Sequence, residues 1–230
     1  MFYNSSYLIF MLPAFLLMML AQWYVSSAYK RWSNVPNRSG LSGAEVARRL
    51  VDRAGLYGVE IEQVQGRLSD HYDPRKKILR LSAGVAQGQS IAAAAIAAHE
   101  LGHAQQDNQD YFPLRLRAAL VPAVNIGSYL GWILLMIGFF LNYTTLAWLG
   151  VAVFAGGAIF ALATLPVELN ASVRAREMLT TAGIITSQEE QRGVNHVLNA
   201  AALTYVAGLI TAILQLLYYA ILVLGMGRRR

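Results

Sequence analysis

The run Leu130-Gly-Trp-Ile-Leu-Leu-Met-Ile-Gly-Phe-Phe140-Leu-Asn-Tyr-Thr-Thr145-Leu-Ala-Trp-Leu-Gly-Val151 carries two apolar stretches joined by five uncharged residues, 141–145. Followed outward, the stretches cover about 118–140 and 146–165, and neither contains Asp, Glu, Lys or Arg. A bilayer crossing needs about twenty such residues. The pair therefore reads as a membrane hairpin. Two more segments meet the same test. One covers about 7–28, interrupted only by Pro13 and Gln22, and the other about 202–226. No positive residue precedes the first, and its apolar run is long, so it reads as a membrane segment and not as a leader peptide. Trp23, Trp32, Tyr143, Trp148, Tyr218 and Tyr219 lie toward segment ends, where interfacial aromatics belong. Charged residues make up 14% of the 230, against about a quarter in soluble domains. The fold expected is mainly α, an integral membrane helical protein.

The distribution of Lys and Arg orients it. Ten of the nineteen lie in residues 30–77, more flank the other segments at Arg115, Arg117, Arg174 and Arg176, and none lies in 141–145. The positive-inside rule then places the polar regions in the cytoplasm and the 141–145 turn outside. Arg228, Arg229 and Arg230 vote the other way if the last segment crosses fully. The net charge of +6 sits beside apolar segments, which fits a bilayer partner and gives no reason to expect nucleic acid.

Between the first two segments lies Ser90-Ile-Ala-Ala-Ala-Ala-Ile-Ala-Ala-His99-Glu100-Leu-Gly-His103-Ala104. The alanines favour helix strongly, and Ser90 is placed to cap it. In a helix, His99 and His103 at i and i+4 share one face and can meet one metal ion. Glu100, one residue on, lies beside such an ion, where a general base for an attacking water belongs. The pattern points to zinc hydrolase chemistry. Cysteine is absent, so zinc must be held by His, Asp or Glu.

The remaining polar region reads as short elements. Ser42 followed by Glu45 is a capping-box signal for a helix over 42–54, with Gly55 to end it. Residues 59–64 alternate as a strand, and 68–72 and 77–81 read as two more joined by a turn at Asp73-Pro74-Arg75. A small antiparallel sheet is expected before the histidine helix. One of its edges could receive an extended peptide by strand addition. His71 either contacts substrate or metal, or bonds its own turn; the turn reading is preferred. Downstream, 167–179 and 187–199 read as helices, the second opened by the Ser187–Glu190 capping box and able to run into the last segment.

Catalytic zinc takes three protein ligands and a water, so a third ligand is needed. His196 is one candidate. Glu168 is the better one: it follows Pro166 at an expected helix start, and it is the single acidic residue between Asp110 and Glu177. An isolated carboxylate at a membrane boundary calls for a role.

At this point a resemblance becomes specific. The blocks Leu68-Ser-Asp-His-Tyr-Asp-Pro-Arg75, Ala98-His-Glu-Leu-Gly-His-Ala104, Leu165-Pro-Val-Glu-Leu-Asn-Ala-Ser172 and Ala200-Ala-Ala-Leu-Thr-Tyr205 resemble those of bacterial neutral zinc metallopeptidases of the YugP type, over essentially the whole chain. More distantly the sequence is similar to HtpX-like gluzincin proteases, whose third ligand is a glutamate opening a helix. Glu168, Ala171 and Ala175 fit that pattern, while Ser172 stands where that group has Asp. A serine lacks the charge such an aspartate would direct at a histidine, so Asn170 or Asp107 is expected to orient a histidine instead.

The resemblance and the residues together imply a zincin-like site in which His99, His103 and Glu168 hold Zn2+ and Glu100 is catalytic. His196, Arg192, Arg174 and Tyr205 are the candidates for stabilising the oxyanion. The expected function is a membrane-embedded zinc metalloendopeptidase acting on protein or peptide substrates from the cytoplasmic face of a bacterial cell membrane. The expected organisation is a first membrane segment at 1–28, a cytoplasmic region at 29–117, a membrane hairpin at 118–165, ligand-bearing helices at 166–201, and a last segment with a basic tail at 202–230. A non-enzymatic zinc-binding scaffold or chaperone is the alternative, opposed by the full residue set with Glu100. A zinc transporter is a further alternative, opposed by the lack of acids and histidines within the segments.

Overall fold

The computed structural model describes residues 5–227; the triple arginine and its bearing on topology lie outside them. The elements in chain order are α1 (Ser5–Ser33), α2 (Gly43–Ala54), β1 (Glu60–Val64), β2 (His71–Asp73), β3 (Ile78–Ser82), α3 (Ala83–Ala86), α4 (Ile91–Asn108), α5 (Phe112–Phe140), α6 (Thr144–Thr181) and α7 (Gln188–Gly227). Four helices, α1, α5, α6 and α7, are long and apolar enough to cross a membrane. Only 11–17% of each apolar window is buried within the protein. Side chains such as Ile126, Trp132, Ile159, Leu162 and Leu224 face outward, the arrangement that suits lipid and would be costly in water. This is a membrane protein.

The chain forms two compact units. The first draws on Met1–Ala21, Arg115–Leu165 and Thr204–Arg230. In it α5 and α6 turn back at Asn142, whose φ is +49°, and pack closely along small residues. A Cβ on Gly138 would stand 2.5 Å from Ala147 N, and one on Gly150 would stand 2.6 Å from Leu135 N. Small residues let helix backbones approach where no hydrophobic drive exists between helices in lipid. Leu135, Ala147, Val151 and Val223 are the buried centre, and Phe154 meets Tyr219 edge-on.

The second unit, Gln22–Leu114 and Pro166–Leu203, carries the polar region. Its core gathers Trp32, Val46, Leu50, Leu79, Leu81, Ile91, Leu101, Leu179, Ile184 and Leu198 around α4. The alanines of α4 at 92–95, 97 and 98 are all buried, so neighbours pack against nearly bare backbone. Around it, α2 has both hydrogen bonds of its capping box, Ser42 with Glu45, and ends on Gly55 in the left-handed conformation at φ +67°. Ser187 and Glu190 make the equivalent reciprocal pair before α7.

The sheet departs from the antiparallel expectation. β2 and β3 form the antiparallel hairpin, with Asp73 Oδ1 accepting from the N–H groups of Arg75 and Lys76 in the turn. β1, however, pairs parallel to β3, and the order is β1-β3-β2. The cause is burial. In β3 the residues Ile78, Leu79, Leu81 and Ser82 are all buried, so it takes the centre, with β1 on one side and β2 on the other. A second departure concerns Pro166. The expected helix start is instead an interior position of α6, which runs unbroken from Thr144 to Thr181. Proline removes a single backbone bond, and this 38-residue helix continues across the gap.

Candidate metal centre

α4 begins where expected: Ser90 has extended backbone and its hydroxyl accepts from Ala93 N–H at 3.1 Å. The helix then presents His99 and His103 together, with ring centroids 4.9 Å apart and planes at 86°. α6 lies against this face because residue 102 is glycine. A Cβ there would stand 2.5 Å from the Ala171 carbonyl oxygen. One turn before Ala171, Glu168 is buried at 2% exposure. Its Oε2 lies 3.3 Å from His99 Nε2 and 3.5 Å from His103 Nε2.

Those distances fit zinc. Tetrahedral zinc with nitrogen and oxygen donors at 2.0–2.2 Å keeps neighbouring donors about 3.4 Å apart. Two imidazoles and a carboxylate are also a donor set zinc accepts. Among the described residues, His99, His103 and Glu168 are the group whose donor atoms converge, within 4.8 Å of one another. His196 is elsewhere: its Nδ1 accepts from Trp32 Nε1 at 2.9 Å, and Tyr24 packs on its ring.

Glu100 sits beside the group. Burial raises its pKa above the ordinary carboxylate range; the charges of Glu168 and Asp70 add to this and those of the two imidazoles oppose it. Its Oε2 accepts from the backbone N–H of Tyr72 in β2 at 3.1 Å, so the sheet and α4 meet at this carboxylate. For His103, burial disfavours the imidazolium, but the hydrogen bond to Glu168 and the charge of Glu100 leave its pKa raised. The Tyr72 phenol donates to Asp107 Oδ2 at 2.9 Å, and its pKa is pushed up by burial and by that carboxylate.

Two of the remaining sequence candidates have other partners. His71 lies in β2 and is exposed; its Nδ1 is 2.8 Å from Ser69 O, outside the Asp73-Pro74 turn it was expected to bond. Arg174 is engaged by Asn170, Gln105 and Gln109, and Arg192 is exposed. Neither Asn170 nor Asp107 provides the bond to an imidazole. Ser172 Oγ lies 3.2 Å from His99 Nδ1, so the serine itself fills the role its lost charge seemed to deny. Gln106 Oε1 lies 3.0 Å from His103 Nδ1. Gln106 was not a sequence candidate, yet it stands three residues after His103, on the same helix face. That spacing was the available signal.

Comparison with known proteins gives the family. The family model described as "Putative neutral zinc metallopeptidase" matches residues 7–224. The chain is 44% identical over 205 residues to a Bacillus subtilis (strain 168) protein named "Putative membrane protease YugP", covering 89% of this chain and 91% of that one. No solved structure matches.

Proposed function

Because the chain belongs to this neutral zinc metallopeptidase family, we propose that it is a membrane-embedded endopeptidase whose metal is held by His99, His103 and Glu168 and whose general base is Glu100. The observation that carries the reading is the placement of Glu168 Oε2, nearly equidistant from the two Nε2 atoms at 3.3 and 3.5 Å.

Zinc bound there supplies a Lewis acid that polarises a substrate carbonyl and makes water acidic enough to attack at neutral pH. The chain's own residues do the rest. Glu100 takes the proton from the attacking water. It then returns the proton to the departing amine. The Tyr72 N–H holds the carboxylate in place from β2. β2 is an edge strand, and an extended substrate added alongside it would run past Glu100. The lysines and arginines concentrated in residues 30–77 support a place for this region on the cytoplasmic side of a bacterial cell membrane.

The test is metal content with zinc-dependent cleavage. Purified protein should hold one zinc per chain and cleave an unfolded protein such as casein. Chelation should stop cleavage and added zinc restore it. Zinc-free protein that cleaves at the full rate would reject the proposal.

A further inference from the structure

Gln106 is completely buried, and the reaction above gives it no part. Its Nε2 donates twice, to Val167 O at 2.8 Å and to Asn170 Oδ1 at 2.9 Å. Neither acceptor is free to change role. A backbone carbonyl can only accept, and the same Asn170 oxygen also receives Arg174 Nε at 2.7 Å. A guanidinium can only donate, so it fixes which end of the Asn170 amide faces inward. Arg174 is itself held by Gln105 Oε1 at 3.0 Å, by Gln109 Oε1 at 2.7 Å and over the ring of Tyr111.

With both amide hydrogens committed, Gln106 has only its oxygen to offer His103 Nδ1, 3.0 Å away. Nδ1 must then carry the hydrogen. In the neutral ring this leaves a lone pair on Nε2, which faces the Glu168 carboxylate at 3.5 Å.

We propose that Arg174, Asn170 and Gln106 form a positioning relay for the metal centre. The relay keeps the hydrogen on Nδ1 of His103, so that Nε2 is the nitrogen turned toward Glu168 and presented to a metal. It also ties α6 to α4, since Gln105 and Gln106 belong to α4, Gln109 caps its C-terminus, and Val167, Asn170 and Arg174 belong to α6. Glu168 lies between the tied residues and is carried into register with the histidines. The groups behind both imidazoles, Gln106 and Ser172, are neutral. They orient the rings without adding the negative charge that a carboxylate would bring. This inference rests on the proposed zinc reading of the site.

The experiment is a competition titration of zinc against a chromogenic chelator, on the metal-free full chain in lipid discs. Wild type is compared with Gln106→Met, Arg174→Met, Arg174→Lys and His103→Ala, and the visible spectrum of each Co2+-substituted protein is recorded. Loss of a group behind a ligand costs about 10–100-fold in metal affinity, and that is the loss expected for Gln106→Met. Arg174→Met touches no ligand and should still weaken zinc about tenfold, the lower end of that range. Arg174→Lys keeps a donor for Asn170 and should recover most of the affinity. The cobalt bands should shift in the first two variants and return in the lysine variant. If Gln106→Met does not fold, the two Arg174 variants decide alone. Wild-type affinity and cobalt bands in the methionine variants, with zinc lost in His103→Ala, would overturn the relay and leave the metal site standing. Undiminished zinc affinity in His103→Ala would remove the metal site and the relay together.

Discussion

Gly102→Ala adds one carbon to the HExxH helix at the point where α6 crosses it. The new Cβ would lie 2.5 Å from Ala171 O and 3.1 Å from both Ala171 C and Cα. These are backbone atoms and cannot rotate away. Ordinary contact begins at 3.4 Å, so the helices must separate by about 0.9 Å locally, or one must tilt. Glu168 is one turn from Ala171 on the same helix and moves with it. Metal ligands hold their distances within about 0.2 Å, so the displacement is several times what the site tolerates. Two effects on stability oppose each other. Overpacking costs about 1–3 kcal/mol, while alanine is about 1 kcal/mol better than glycine within a helix. The metal-free variant should therefore lose at most about 2 kcal/mol and remain folded. Its zinc affinity should fall by about tenfold or more, comparable to the loss of a group behind a ligand. Thermal unfolding of the metal-free protein and a zinc–chelator competition read the two separately. A folded Gly102→Ala variant that binds zinc as tightly as wild type would refute the idea that this close approach sets the ligand geometry.

Other outcomes follow from the same arrangement. Glu168→Ala should lose most of its zinc by elemental analysis, whereas His196→Ala, altered at a residue bonded to Trp32, should keep it; the reverse result would move the third ligand. Removing zinc from wild type should lower the thermal midpoint, since a ligand at 100 times its Kd stabilises the folded state by about 2.7 kcal/mol; an unchanged midpoint would mean that no tight folded-state site exists. The cysteine-free chain permits single-cysteine labelling from outside intact cells. Thr144→Cys should label and Ser39→Cys should not, and the opposite pattern would invert the topology.

The parts of the fold legible in the sequence are those set by local chemistry. Charge-free apolar runs reported the four long helices because lipid admits little else. The Ser42–Glu45 box and Gly55 reported both ends of α2 because capping involves only neighbouring residues. The parallel pairing of β1 was not legible. Sequence proximity favours hairpins, and only the buried centre of the unit shows that β3 must lie inside. Pro166 misled for a related reason: proline marks helix starts on average, but a long helix can carry one through its interior. At the candidate site, the residues of the proposed ligand set were readable from HExxH and an isolated carboxylate, while the convergence of Glu168 on the histidines is a property of packing at Gly102. Gln106 was hidden because a glutamine in a helix has no chemical signature until its burial and partners are known. Ser172 lacks the charge of an aspartate, and only the structure shows its hydroxyl reaching His99 Nδ1.

The central claim is that Glu100 performs proton transfer beside a metal it does not hold. Glutamine at this position keeps the shape and the ability to accept the Tyr72 N–H, but cannot take a proton. The most direct measurement is the rate of casein cleavage by wild type and Glu100→Gln, each shown by elemental analysis to contain one zinc per chain. The account predicts equal zinc and a loss of at least about a hundredfold in rate, the lower end of what general acid–base catalysis contributes. Cleavage by the zinc-loaded glutamine variant at the wild-type rate would contradict it.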